Sequence, residues 1–556
     1  MCVQDLTEAS QLQPEDEEIK RQLEKAKEDL EESRALKKLQ ALKSGKSDAD
    51  VSVSKEQLKL IETLSQTLKL KTESHGPHVP MLCYSNISRK GLGGAALPTR
   101  SVVHKVPSRH DEVVKAAQSL RCEITSHKDL QLYLRACGGL VSAADHLCYA
   151  AGIAAPGVVV DDMKSATAPQ RECVAAACAA LLNEACQNSA NILLIAGCIR
   201  PDQPARLDGG LFSGRQVLDA LCRMLDGTAG SACATLLYTL STDVDSRKQV
   251  SSALASCDST DLTSPGAKRL LRGLEGATVA HQAHALMLLS NCILSKDLRN
   301  ALQDDGAFMQ QLSLMLEQAK HDLIIEKAAA LLGNTINDAL WRSQAVVCPA
   351  IIPTLTKLAR TPSLAEPALQ ACITCLYNLA IEDTLHVALL QPEWLKACNG
   401  LLRHGNHTVV VRIAGILSRV ARAPGAIELM IDLGTADALK DAACASLVSC
   451  GTLSENSRVQ ADWLKLCREH PNLQAAWKPV DAWSLTDSYV RALAIWGGPK
   501  TDSAPGTLLL KTSAVQTLLL LCCSCKDGTP GAAGNAALCL SYVADSKCVH
   551  AFHIPL

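Results

Sequence analysis

The stretch CITCLYNLAIED, residues 372–383, reads two ways. Its C-x-x-C spacing is that of a redox dithiol or of half a zinc site. Yet Cys372, Cys375, Leu376 and Leu379 stand at i, i+3, i+4 and i+7, which on a helix makes one apolar face. The surrounding sequence weighs between the two. When ALMLLSNCI, AALLGNTIN, TCLYNLAIE and AGILSRVAR are aligned on the leucine before the polar pair, Leu289, Leu332, Leu376 and Leu417 follow at intervals of 43, 44 and 41 residues. A helical period of about 40–47 residues marks an array whose units bury their apolar faces against one another.

A second register keeps phase with the first. Two residues after each leucine stand Asn291, Asn334, Asn378 and Arg419, and fifteen residues further on stand Gly306, Pro349, Glu393 and Gly434, three of them helix breakers. Two residues beyond these, Phe308, Ile351, Leu395 and Ala436 restart an apolar helical pattern. Long helix, polar break and new helix therefore recur together.

Here the chain resembles the armadillo-repeat family, whose third helix ends in an L-x-N-L-A-like segment and whose next repeat opens with G-A-I/L-P-x-L. CLYNLA at 375–380 and CPAIIPTL at 348–355 come nearest. The resemblance covers roughly residues 113–556 and is strongest from 281 to 440. It implies an all-α, right-handed superhelical solenoid of armadillo/HEAT type, with third helices lining a concave groove. In that family the Asn position projects into the groove and bonds the backbone of an extended ligand, which implies Asn291, Asn334, Asn378 and, in place of Asn, Arg419 as partner-binding residues. The alternative is that each of these side chains only braces local backbone. Import receptors of the family set a Trp one turn before each groove Asn; Met287, Ala330, Thr374 and Gly415 stand there, so nuclear-signal binding is not expected.

Composition agrees with an array. The 556 residues are too many for one core, and 47% are hydrophobic but only 3% aromatic, so burial must come from small side chains that let helices approach closely. Net charge is −2 with no long basic run, which withholds the electrostatic footprint of nucleic-acid binding. The longest strongly apolar run, Thr517–Cys523, is far short of a bilayer span, and no membrane association is expected. In a long chain without an export signal the 25 cysteines read as reduced, buried thiols of a cytoplasmic protein.

The front of the chain differs. DLTEASQLQPEDEEIKRQLEKAKEDLEE, with Leu6, Ala9 and Pro14 at signature offsets, resembles the end of a tetratricopeptide repeat followed by its capping helix, whose stripe is Ile19, Leu23, Ala26 and Leu30. The expected domains are this remnant over 1–45, then a short helix near 54–70 with a linker over 46–112, then the array over 113–556 with a loop near 497–512. Ser54 and Gln57 make a capping-box pair for the short helix. Met1 would fall inside a repeat whose first helix is missing, so the expectation is a fragment or isoform lacking most of the tetratricopeptide domain, with an aggregation-prone C-terminal face.

Catalytic signals are weak. GLGG at 91–94 and SGKS at 44–47 lack the strand and Lys-Ser/Thr context of a phosphate loop. His281 with His284 and His404 with His407 have no carboxylate motif to complete a metal centre. Cys372 with Cys375 and the distant Cys522, Cys523 and Cys525 leave a thiol- or metal-dependent enzyme as the alternative from another class. The reading adopted is a non-enzymatic protein without cofactor or metal. The order of tetratricopeptide remnant and armadillo array resembles cytoplasmic factors that preassemble axonemal dynein arms in ciliated or flagellated cells. That resemblance implies dynein-arm subunits or assembly factors as partners, with chaperone binding in doubt without the tetratricopeptide groove. The UNC-45 group of myosin co-chaperones has the same repeat order and is the competing resemblance.

Overall fold

A computed structural model describes residues 53–68, 110–153, 167–197, 212–256, 265–303 and 307–439, apart from positions 126, 275 and 347, with a few short stretches elsewhere. The chain forms two compact units, 1–302 and 303–556. The readings of Leu6, Ala9, Pro14, Gly306, the two glycine loops, the loop near 497–512, the cysteines at 522–525 and most of the 71–109 linker lie outside the described residues. Of the front stripe, Leu23 is buried and Leu30 is exposed.

The first unit is a stack of helices: α1 (Lys55–Leu68), α2 (His110–Ile124), α3 (Lys128–Ala136), α4 (Gly139–Ala150), α5 (Ala168–Ala185), α6 (Ser189–Ile195), α7 (Gly214–Arg223), α8 (Gly230–Thr242), α9 (Val244–Ala255), α10 (Gly266–Arg272), α11 (Val279–Cys292) and α12 (Lys296–Leu302). Every third helix stacks on the one before: α2 on α5, α5 on α8, α8 on α11. Second helices form a parallel layer, α4 on α7 and α7 on α10. This two-layer stacking is what a solenoid must do, because no single repeat can bury its own apolar face.

Several helices start on a side-chain cap. Ser54 and Gln57 exchange hydrogen bonds with each other's backbone N–H at 3.2 and 3.0 Å, Asp243 accepts from Asp245 and Ser246 at the head of α9, and Thr278 accepts from His281 at the head of α11. Helix α1, which the sequence reading set beside the linker, is packed against α2, α3 and α4 with Leu58, Ile61 and Leu68 buried. Its last carbonyl, Leu68 O, accepts from His146 Nε2 of α4 at 2.9 Å. Among the described residues, the departure from helix and loop is a two-residue parallel pairing of Val102–Val103 with Val158–Val159.

The second unit repeats the pattern with α13 (Ala307–Gln318), α14 (Asp322–Thr335), α15 (Ala339–Val346), α16 (Ile351–Ala359), α17 (Glu366–Leu379), α18 (His386–Leu389), α19 (Pro392–Leu401), α20 (His407–Val420) and α21 (Ala426–Asp432). Third helices α14, α17 and α20 stack in order, and second helices α13 and α16 pack beside them. Few aromatics are needed, but two tryptophans fill large gaps: Trp341 meets Phe308 edge-on at 5.6 Å between centroids, and Trp394 is buried.

The leucine register that predicts the array is met position by position. Leu289, Leu332, Leu376 and Leu417 sit on α11, α14, α17 and α20, each with 0% exposure. Phe308, Ile351, Leu395 and Ala436 are likewise buried. Pro349 lies in the turn before α16, Glu393 in the first turn of α19, and Gly434 adopts a positive φ of 74° that ends α21. Each unit is an all-α solenoid of the armadillo/HEAT type.

Candidate binding groove

Cys372 and Cys375 answer the question their spacing raises. Both are fully buried on α17, and Cys375 donates its S–H to Ala329 O of α14 at 2.8 Å. Burial pushes the Cys372 thiol up to about 12 and Cys375 well above its ordinary value, the opposite of the lowered pKa that makes a thiol reactive. The pair serves helix packing. The histidine pairs are also used structurally: Thr235 Oγ1 and His284 Nδ1 share a hydrogen bond at 2.9 Å, and His404 Nδ1 accepts from Asn406 N at 3.1 Å in the turn before α20. Burial and the neighbouring His284 lower the pKa of His281.

The third-helix face of the second unit carries a groove of about 520 Å³. Glu326, Asn334 and Asn337 reach it from α14 and the turn after it, Gln370, Thr374, Tyr377 and Asn378 from α17, and Arg412 from α20. Between Ala329, Ala330, Pro367 and Ala371, its polar groups are mostly amides and hydroxyls, which can each donate to or accept from a peptide backbone.

Two of the sequence-predicted residues, Asn334 and Asn378, line this groove. Asn378 Nδ2 donates to Gly333 O at 3.2 Å and to Asn337 Oδ1 at 3.0 Å, bracing α17 on α14. Asn291 stands in the other unit and donates from Nδ2 to Ser241 Oγ of α8 at 3.0 Å. Arg419 Nη1 donates to Tyr377 O at 2.6 Å, and its guanidinium lies 4.0 Å from the Tyr377 ring centroid. Three of the four side chains are thus tied to the preceding third helix, and the amide donors of Asn378 do this from within the groove wall.

Arg412 and Tyr377 escape sequence reasoning. Along α20, Arg412, Gly415 and Arg419 share one face, and all three address α17. Arg412 Nη1 donates to Thr374 Oγ1, and Gly415 leaves room for the Tyr377 ring, since a Cβ there would meet Tyr377 Cε2 at 2.5 Å. Desolvation lowers the Arg412 pKa, but arginine remains a cation at neutral pH. The groove's one carboxylate, Glu326, is already paired with Lys327 at 2.6 Å. The only signal for Arg412 in the sequence is a lone basic residue inside the apolar run VVVRIAGIL.

Among the described residues, no group of three His, Cys, Asp or Glu side chains is placed to hold a metal ion, and no helix is long and apolar enough to cross a membrane.

Comparison with solved structures returns engineered proteins and designed armadillo repeat proteins. An engineered protein from a structural genomics consortium is 14% identical, covering 87% of this chain and 99% of its own, with a TM-score of 0.48. A designed armadillo repeat protein is 15% identical over 53% of this chain and 98% of its own, TM-score 0.35. Another, solved in complex with the peptide (KR)4, is 16% identical over 48% and 93%, TM-score 0.35. No family model matches the chain, and no curated protein matches it.

Proposed function

We propose that the chain is a non-catalytic scaffold whose third-helix groove in the second unit holds an extended segment of another protein. The observation that carries this reading is the run of hydrogen-bonding side chains, Asn334, Asn337, Gln370, Thr374, Asn378 and Arg412, presented by α14, α17 and α20 and the turn after α14 along one groove. Stacked helices stand about 8–10 Å apart. An extended chain advances about 3.3 Å per residue, so every third residue of a ligand meets a new helix. Affinity is then spread over many modest contacts, with no reaction centre required.

The finer reading rests on sequence resemblance. GNAALCLSYVADSKCV at 534–549, RIAGILSRVARAPGAIELMIDLG at 412–434 and SDADVSVSKEQLKLIETLSQ at 47–66 resemble pieces of tetratricopeptide repeat protein 12. On that basis the scaffold acts in the cytoplasm of ciliated or flagellated cells, holding axonemal dynein subunits or assembly factors while the arms are put together. Affinity capture from ciliated cells with the full chain tests both levels. Dynein heavy or intermediate chains are expected, and the Asn334→Ala/Asn378→Ala double variant should lose most of the capture. Myosin motor domains in their place would move the protein to the myosin co-chaperones. Unchanged capture by a double variant of intact helicity would put the binding face elsewhere.

A further inference from the structure

Resting on the reading of that groove as a peptide site, we propose that Arg412 is a carboxylate-reading subsite, so that the groove selects extended partner segments carrying Asp or Glu. The argument is charge complementarity. Arg412 is half-buried on the groove wall, and among the described residues no carboxylate lies within ion-pair distance of it. Its guanidinium has five N–H donors in a fixed fork, of which the Thr374 hydroxyl takes one.

Arg412 lines a cavity whose other polar side chains are neutral amides and hydroxyls apart from Glu326, and that one acidic side chain is held by Lys327. A cation in such surroundings has lost part of its hydration and gained one neutral hydrogen bond, so an incoming carboxylate that binds two N–H groups side by side restores what burial removed. A basic segment would meet an uncompensated like charge, and a neutral segment would leave the fork unfilled. Arg419, stacked on Tyr377 at the same helix face, adds to the positive field at this end.

Fluorescence anisotropy on the full chain tests this with three labelled peptides of one length, alternating Glu–Ser, Gln–Ser and Lys–Ser. The Glu–Ser peptide should bind roughly tenfold more tightly than Gln–Ser and lose that margin in Arg412→Gln. Raising the salt concentration should narrow it. Arg412→Lys, which keeps the charge but not the fork, should retain part of the margin and guards against a folding defect in Arg412→Gln. Lys357→Gln, an exposed cation on second helix α16, should leave it intact. Equal binding of Glu–Ser and Gln–Ser, both weakened by Asn334→Ala/Asn378→Ala, would overturn acid selection while keeping the groove. Absence of binding by all three peptides would overturn the groove reading as well.

Discussion

The two units use one inter-helix contact with different chemistry. Thr235 on α8 in the first unit and Thr374 on α17 in the second stand in matching places, two residues before the buried leucines Leu237 and Leu376. Their partners on the next third helix, His284 and Arg412, are each five residues before Leu289 and Leu417. In the first unit His284 also stacks under Tyr238 with ring centroids 5.6 Å apart. In the second unit the matching tyrosine, Tyr377, turns instead to Arg419 and leaves Arg412 on the groove wall. Gly415 gives the Tyr377 ring a place to lie beside Arg419, whereas Met287 and Asn291 hold the two matching positions in the first unit. Third-helix ladders of this kind are alike in their leucines and differ in which polar group the tyrosine covers.

The strongest way to break the comparison is to attack what the units share. Leu289→Ala and Leu376→Ala each remove a fully buried side chain from the same register and should each destabilise their unit by about 2–5 kcal/mol in denaturant unfolding. A loss confined to one of them would show that the two ladders are not equivalent.

Acid should separate the units next. His146 is buried on α4, and desolvation, with His110 nearby, pushes its pKa from 6.5 down to about 4. The unfolded chain takes up a proton as pH falls through 6.5, whereas the folded imidazole stays neutral until about 4. Stability contributed by the neutral ring is therefore lost as pH falls across that window, by up to roughly 3 kcal/mol. Hydrogen exchange at neutral and mildly acidic pH should show α1 and α4 opening first, and His146→Gln should flatten the response.

Much of this was legible beforehand, and the limits have a physical cause. Leu289, Leu332, Leu376 and Leu417 could be placed in one register because burial against the next repeat forces a fixed period. The second register located Asn291, Asn378 and Arg419, but their hydrogen bonds run to residues about 40–50 positions earlier, and only a fold brings those partners close. Arg412 and Tyr377 were missed for the same reason, since the partners that give them a role meet them only once α17 and α20 are stacked. The packing of α1 was hidden by the long stretch between it and α2. The Cys372 and Cys375 spacing, by contrast, was correctly read as an apolar helix face, because both thiols fall in phase with Leu376 and Leu379.

A smaller effect tests one of the positions at which the units differ. Gly415→Met installs the first unit's side chain in the second and should drive the Tyr377 ring away from Arg419. Stability should fall by about 1–3 kcal/mol from overpacking. The informative readout is binding: if the displaced ring covers Arg412 as Tyr238 covers His284, the margin between Glu–Ser and Gln–Ser peptides should shrink while Arg419→Gln leaves it largely in place.

The reciprocal change carries the smallest expected effect and the sharpest discrimination. His284→Arg places a permanent cation on the first unit's ladder at the position Arg412 holds in the second. Thr235 can still accept one N–H, and the guanidinium can stack on Tyr238 as imidazole does, so stability should change by no more than about 1 kcal/mol. The groove that Arg412 lines is built from second-unit residues, which the new arginine does not join, and so affinity for the Glu–Ser peptide should stay within about twofold of the unmodified chain. A clear gain would mean that charge at this register suffices, and that the amide-lined groove beside Arg412 contributes little to selection.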